Sequence, residues 1–304
     1  MLGRMHTTMI DSAAAMSRIL DAPTAARDDL VRAMWQPMAG MYAFVPGPLD
    51  LAEVHRGSSG FDAADPSGRV REGLDALVSA DAWSRIRAAL ADGARALRAA
   101  DAGLTLPDLT VLLVLGDPDD RHFVEEVQGL TAFGGIPGYV SITVWPTSRV
   151  LARLEAVAVH ELHHNARYSP GGVVWDPATV TVGEHVVAEG LADAFAAELH
   201  GEAGWTHFVA DATRRDDAVL AKVVAALDRT GMRGFPAWVL GDATATRMGI
   251  APVGVPTGAG YAAGRRIVEA YLADAGTTAA RSVRTPAAEI LGRALPRLGL
   301  APGA

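Results

Sequence analysis

Residues 156–168, AVAVHELHHNARY, place three histidines and a glutamate within five consecutive positions. His160 and His164 are four apart, so on a helix they project from one face. Two imidazoles at that spacing can bind one zinc ion. Glu161 lies about 100° round the axis from His160, where it can reach a metal-held water without ligating the metal. The order His-Glu-x-x-His therefore reads as two ligands and a general base for metal-assisted hydrolysis. The competing reading is a surface helix whose histidines are solvated. His163 points away from the pair and reads as solvated or structural.

A catalytic zinc ion needs a third protein ligand and keeps its fourth position for water. One protease pattern continues His-x-x-Gly-x-x-His, but the residues after His164 are Asn165, Ala166, Arg167, Tyr168, Ser169 and Pro170. Neither the glycine nor the histidine is there, which rejects that class. The alternative is a glutamate from a later helix. Glu189 sits in HVVAEGLADAF, residues 185–195. A carboxylate in so apolar a segment is costly to bury unpaired, and metal ligation removes that cost. Asp193, one turn on and on the same face, could accept the second ring N–H of a ligand histidine and fix its tautomer. His185 shares that face and reads as a support for the site, a hydrogen-bond donor to it, or a core histidine.

The elements that must position these residues can be read from the spacing. Residues 8–35 form one or two helices broken near Asp21–Pro23, and Val70–Ala100 form two with a new start near Ser79–Asp81. LTVLLVLG, residues 109–116, is a buried strand, and YVSITVW, residues 139–145, is a second, after a Gly/Pro turn. Thr147 or Ser148 caps a helix running to about Arg167. Further helices are expected over about 183–200, 206–229, 261–276 with a stop at Gly276, and 286–295. Strands thus precede the metal helix and only helices follow it. The expected fold class is α+β and mostly helical, forming one catalytic unit over 1–304. Its α+β lobe, 1–167, ends in the metal helix, and a helical lobe, 168–304, carries the third ligand, with the site between them.

Composition narrows the function classes. The chain has 304 residues, half of them apolar, which is ample for a core. A net charge of −8 argues against a general nucleic-acid binder. There are no cysteines, so thiolate catalysis and Cys-based metal sites are excluded. The N-terminal twenty residues lack the apolar run of a secretory signal, and LTVLLVLG is too short to span a bilayer. A soluble, cytoplasmic protein with no membrane span is expected. The oligomeric state cannot be read.

AVAVHELHHNARY, VAEGLADAFAAEL and GAGYAAGRRIVEAYL, in that order, resemble the YjaZ-like predicted zinc-dependent proteases, a family described as a domain of unknown function. The preceding GLTAFGGIPGYVSITV fits the family's Gly-rich turn and strand. The resemblance covers about residues 105–275 and extends more broadly to gluzincins, in which two histidines and a glutamate hold zinc. It implies a zincin-like fold, one catalytic Zn2+ on His160, His164 and Glu189, Glu161 as base, Asp193 behind the ligands, and a peptide or protein substrate. It also places a tyrosine at Tyr261 as oxyanion donor. A merely packed aromatic is an equal reading there, and His185 is the rival donor. In gluzincins a sheet edge beside the metal helix pairs with extended substrate, a role YVSITVW could take; a central or edge strand that only packs is an equal reading. Arg265 and Arg266 could bind a substrate carboxylate, with exposed helix arginines the simpler reading. Two alternatives stay open: a zinc hydrolase of a non-peptide substrate, and a regulatory or other non-enzymatic metal-binding protein that retains the fold.

Overall fold

The computed structural model describes residues 5–65 and 67–301. The first four residues of the stretch read as no export signal lie outside these. The chain divides into two compact units, one of residues 1–94 and 106–165, the other of residues 95–105 and 166–304.

The first unit holds β1 (Thr7–Met9), α1 (Ser12–Asp21), α2 (Thr24–Trp35), α3 (Leu51–Gly57), α4 (Arg69–Ser79) and most of α5 (Ala82–Ala100). It continues through β2 (Leu109–Leu115), β3 (Leu130–Phe133), β4 (Tyr139–Val144), α6 (Ser148–Leu151) and α7 (Leu154–Arg167) up to Asn165. The helix breaks fall where the turn residues place them. Val78, although apolar and at helical spacing from Leu74, faces solvent. Strand β1 is too short at three residues to leave a periodic signal.

The sheet runs β1-β2-β4-β3, with β1, β2 and β4 parallel and β3 antiparallel to β4. Strand β2 is buried at every position but Thr110, as a parallel strand covered on both faces should be. Val111, Leu113 and Leu115 pair with Val140, Ile142 and Val144. Strand β4, considered from the sequence as a peptide-pairing edge, is an inner strand. The edge beside it is β3, four residues long and more open.

The helix expected from Thr147 to Arg167 is two helices. Thr147 does cap, accepting the Val150 amide at 3.2 Å. The chain then breaks at Ala152–Arg153. Arg85 accounts for the break: its Nη2 donates to the Leu151 carbonyl at 2.7 Å, while Nε and Nη2 hold Glu155 at 2.6 and 2.7 Å. Helix α7 lies close on α5, where a Cβ at Gly93 would come within 2.9 Å of Leu162 Cδ2 and 3.1 Å of Val159 Cγ1.

The second unit holds α8 (Val182–His200), α9 (Asp211–Arg215), α10 (Asp217–Val224), α11 (Asp242–Arg247), α12 (Ala259–Ala275) and α13 (Ala287–Arg297). The single helix expected over 206–229 is α9 and α10. Asp216 separates them by turning out of helical geometry and capping the amides of Ala218 and Val219 at 2.8 and 3.1 Å. Helix α8 is buried all round from Val182 to Ala196, the pattern of a central helix. It meets α12 at backbone contact, since a Cβ at Gly190 would fall 2.2 Å from the Gly264 carbonyl oxygen. Gly276 ends α12 in the left-handed conformation at φ +59°, the stop expected of a glycine there. The fold is α+β and mostly helical, and the single sheet among the described residues precedes α7. No helix among the described residues is long and apolar enough to cross a membrane.

Candidate metal centre

The polar run on α7 is buried. His160, Glu161 and His164 are 8, 6 and 7% exposed, and His163, Asn165 and Arg167 are fully enclosed. That removes the surface-helix reading, and it makes His163 a core residue rather than a solvated one. So many polar groups survive burial only with partners.

His160 and His164 meet edge-to-face one turn apart, with ring planes at 74° and their Nε2 atoms 3.1 Å apart. Two nitrogen ligands about 2.05 Å from a tetrahedral zinc ion are about 3.3 Å apart, so the rings already stand at close to ligating separation. One ligand atom from each of His160, His164 and Glu189 lies within 4.8 Å of the others. Two imidazoles and a carboxylate, with no cysteine in the chain, form a donor set that fits a divalent zinc ion.

Glu161 is placed by its backbone surroundings. Gly134, the residue after β3, lies so close that a Cβ there would come within 2.4 Å of the Glu161 carbonyl oxygen and 2.8 Å of its Cβ. Asn165 ties the same loop to α7. Its Nδ2 donates to the carbonyls of Gly134 and Tyr139 at 2.6 and 2.9 Å, and its Oδ1 accepts the Gly138 amide at 2.7 Å. Sequence reasoning missed Asn165. The available signal was a polar run that continues past His164 in a helix too apolar elsewhere to be a surface one.

In the second unit, Arg167 donates from Nε and Nη2 to both oxygens of Glu184 at 2.7 and 2.8 Å, and from Nη1 to the carbonyls of Val283 and Thr285. The Tyr168 hydroxyl adds a bond to Glu184 at 3.1 Å. Burial pushes the Tyr168 phenol well above its ordinary value, and the negative charge of Glu184 adds to that. Thr181 caps α8 on the Glu184 amide at 3.0 Å, a capping-box pattern whose glutamate serves Arg167.

The remaining sequence-derived residues all sit in the second unit. Asp193 accepts the Thr206 hydroxyl at 2.8 Å and its amide at 3.3 Å. His185 is buried against Phe235, ring centroids 4.5 Å apart. Tyr261 packs edge-to-face on Phe208 at 5.3 Å and shares a cavity wall with Asp193. Arg265 and Arg266 line the same cavity and are not the exposed helix arginines of the simpler reading. Their side chains keep only 17 and 26% of their accessible surface.

A family model described as "Predicted Zn-dependent protease (DUF2268)" matches residues 93–292, a stretch that contains every candidate site residue named above. An uncharacterized protein of Bacillus subtilis (strain 168), YjfC, is 31% identical over 180 residues, 59% of this chain and 58% of the relative. The chain thus spans little more than half of that relative's length. No solved structure matches.

Proposed function

This chain belongs to the predicted Zn-dependent protease family, and on that premise we propose that it hydrolyses peptide bonds at one zinc ion held by His160, His164 and Glu189. The observation that carries the reading is the convergence of those three side chains, with a buried glutamate next in sequence to the first of them. A bound zinc ion supplies Lewis acidity and brings the pKa of a water near neutrality. Glu161 takes the proton of the attacking water and passes it to the leaving amine. Packing of Gly134 against the Glu161 backbone holds the base in position, which matters because general-base transfer works only within hydrogen-bond reach. The oxyanion on the scissile carbonyl calls for a donor, and Tyr261 and His185 are the two candidates. Asp193 fits the role of a carboxylate behind the ligands, its geometry fixed by Thr206.

An extended peptide would add to the free edge of β3, not to β4. That edge leads directly into Gly134, so the peptide backbone would run alongside Glu161.

The test pairs metal analysis with an unbiased peptide library read by mass spectrometry. Wild type should carry one zinc ion per chain and cleave. Glu161→Gln should keep the zinc and lose turnover by about 10²-fold or more, and His160→Ala should lose the metal. Full activity in His160→Ala would end the assignment. Stoichiometric zinc with no cleavage of any peptide would favour the regulatory or non-peptide alternative.

A further inference from the structure

Strand β3 offers a pairing peptide only a short run of main chain. Trp145 donates its amide to the Gly129 carbonyl at 2.8 Å, and the register sets Thr131 opposite Thr143 and Phe133 opposite Ser141. Hydrogen-bonded and non-bonded positions alternate along an antiparallel pair. Residues 129, 131 and 133 therefore turn their N–H and C=O groups to β4, and Ala132 and Gly134 turn theirs to the open side. Among the described residues nothing takes up the N–H or C=O of Ala132, or the N–H of Gly134. The Gly134 C=O is already occupied, by Nδ2 of Asn165 at 2.6 Å.

Asn165 follows Glu161 by four residues, so the two share a face of α7. Its side chain is fully enclosed. Nδ2 also holds the Tyr139 carbonyl at 2.9 Å, and Oδ1 holds the Gly138 amide at 2.7 Å. Both ends of the loop between β3 and β4 thus hang on one carboxamide. The same loop crosses α7 one turn earlier, where a Cβ at Gly134 would overlap the Glu161 backbone.

We propose that Asn165 is a positioning residue: it ends the peptide-pairing edge at Gly134 and fixes that end on the Glu161 turn of α7, so that the cut falls at one bond. The proposal deepens the peptidase reading and rests on it. A peptide on this edge bonds to Ala132 and to the Gly134 N–H, and past Gly134 it meets no free acceptor. The end of the ladder therefore selects which peptide bond stands beside Glu161. Successive residues of a strand are about 3.4 Å apart, so a slip of that size exchanges one scissile bond for the next.

The test uses the zinc-loaded full chain and one library peptide with a single dominant cut. Asn165→Asp keeps the acceptor for Gly138 and loses both donors, and Asn165→Leu loses all three bonds at similar volume. Thermal melts and metal analysis establish which variant is folded and loaded. In either, kcat should fall about tenfold or more with KM changed far less, and cuts at neighbouring bonds should appear. A loss of stability alone would leave the cut pattern as in wild type. Amide exchange over residues 134–139 should quicken in Asn165→Leu. Single-site cutting at the wild-type kcat in a folded, loaded variant would overturn the proposal. So would zinc lost in step with activity, which would make Asn165 a support for His164. Should neither variant fold, the peptide decides. Its amides other than the scissile one are N-methylated one at a time, and methylation should block cleavage on one side of the cut only. Sensitivity on both sides, or on neither, would overturn the proposal. Wild type that cleaves no peptide would end the peptidase reading and the positioning role with it, and exchange over 134–139 would then decide only whether Asn165 fixes the loop.

Discussion

No side chain can be added at position 134 without moving Glu161, because the new Cβ would overlap the helix backbone that carries it. Gly134→Ala is therefore expected to retain zinc and lose about 10²-fold in turnover, the scale of a catalytic group misplaced by about 1 Å. Metal analysis beside the cleavage assay checks this, and unchanged turnover would mean that Glu161 is not sensitive to its seat. A second residue-scale prediction concerns His55, far from the candidate chemistry. Its Nδ1 accepts the Trp35 indole N–H at 3.0 Å, so Nε2 carries the proton and donates to the Phe61 carbonyl at 2.9 Å. Burial pulls its pKa from 6.5 to about 4. Below pH 6.5 the unfolded chain takes up a proton that the folded chain refuses. Stability from this group is therefore whole above pH 6.5 and falls as the pH drops towards 4, by about 3 kcal/mol. Urea denaturation at pH 7 and pH 4 should show that loss in wild type and a smaller one in His55→Gln. Equal losses would place the titrating group elsewhere.

Two helices bear most on the site. Helix α7 carries both histidines and Glu161, and its closing residue is tied to α8 through Arg167 and Glu184, a pair almost wholly removed from water. Burial opposes the Arg167 charge, but Glu184 overcomes this and holds the guanidinium above its ordinary range. Removing one partner from such a pair leaves the other charge buried and alone. Glu184→Ala should cost about 3–5 kcal/mol, read as a lower urea midpoint. A loss below about 1 kcal/mol would show that water reaches the guanidinium. Helix α8 presents Glu189 and Asp193 one turn apart, and its contact with α12 through Gly190 and Gly264 lets the helix bearing Tyr261 and Arg265 approach so near.

For the molecule as a whole, zinc that binds only the folded chain adds to its stability by mass action, about 2.7 kcal/mol when free zinc exceeds the dissociation constant a hundredfold. EDTA should lower the melting temperature by several degrees, and one equivalent of zinc should restore it. His160→Ala should show neither change, and a chelator effect of wild-type size in that variant would point to a different metal site. Strand β1, which overlaps the stretch 8–35 read as helix, and β3 were not legible in the sequence, whereas the two central strands, the breaks in the first hundred residues and the stop at Gly276 were legible because turn and cap residues act locally. The break at Ala152 and the split of 206–229 were less so. The first depends on Arg85, from another helix, and the second on a cap that one aspartate among many could make. By itself, the sequence determined the His-Glu-x-x-His face, since one helical turn sets how those side chains relate, and it singled out Glu189 because a carboxylate in an apolar run needs compensation. Only the tertiary structure decided that β3 is the sheet edge, that Asn165 and Gly134 hold the loop after β3 against the Glu161 backbone, and that Arg265 and Arg266 line a cavity. Those roles depend on partners such as Gly134, 31 residues from Asn165, and residue types along a chain do not specify which distant groups the fold brings into contact.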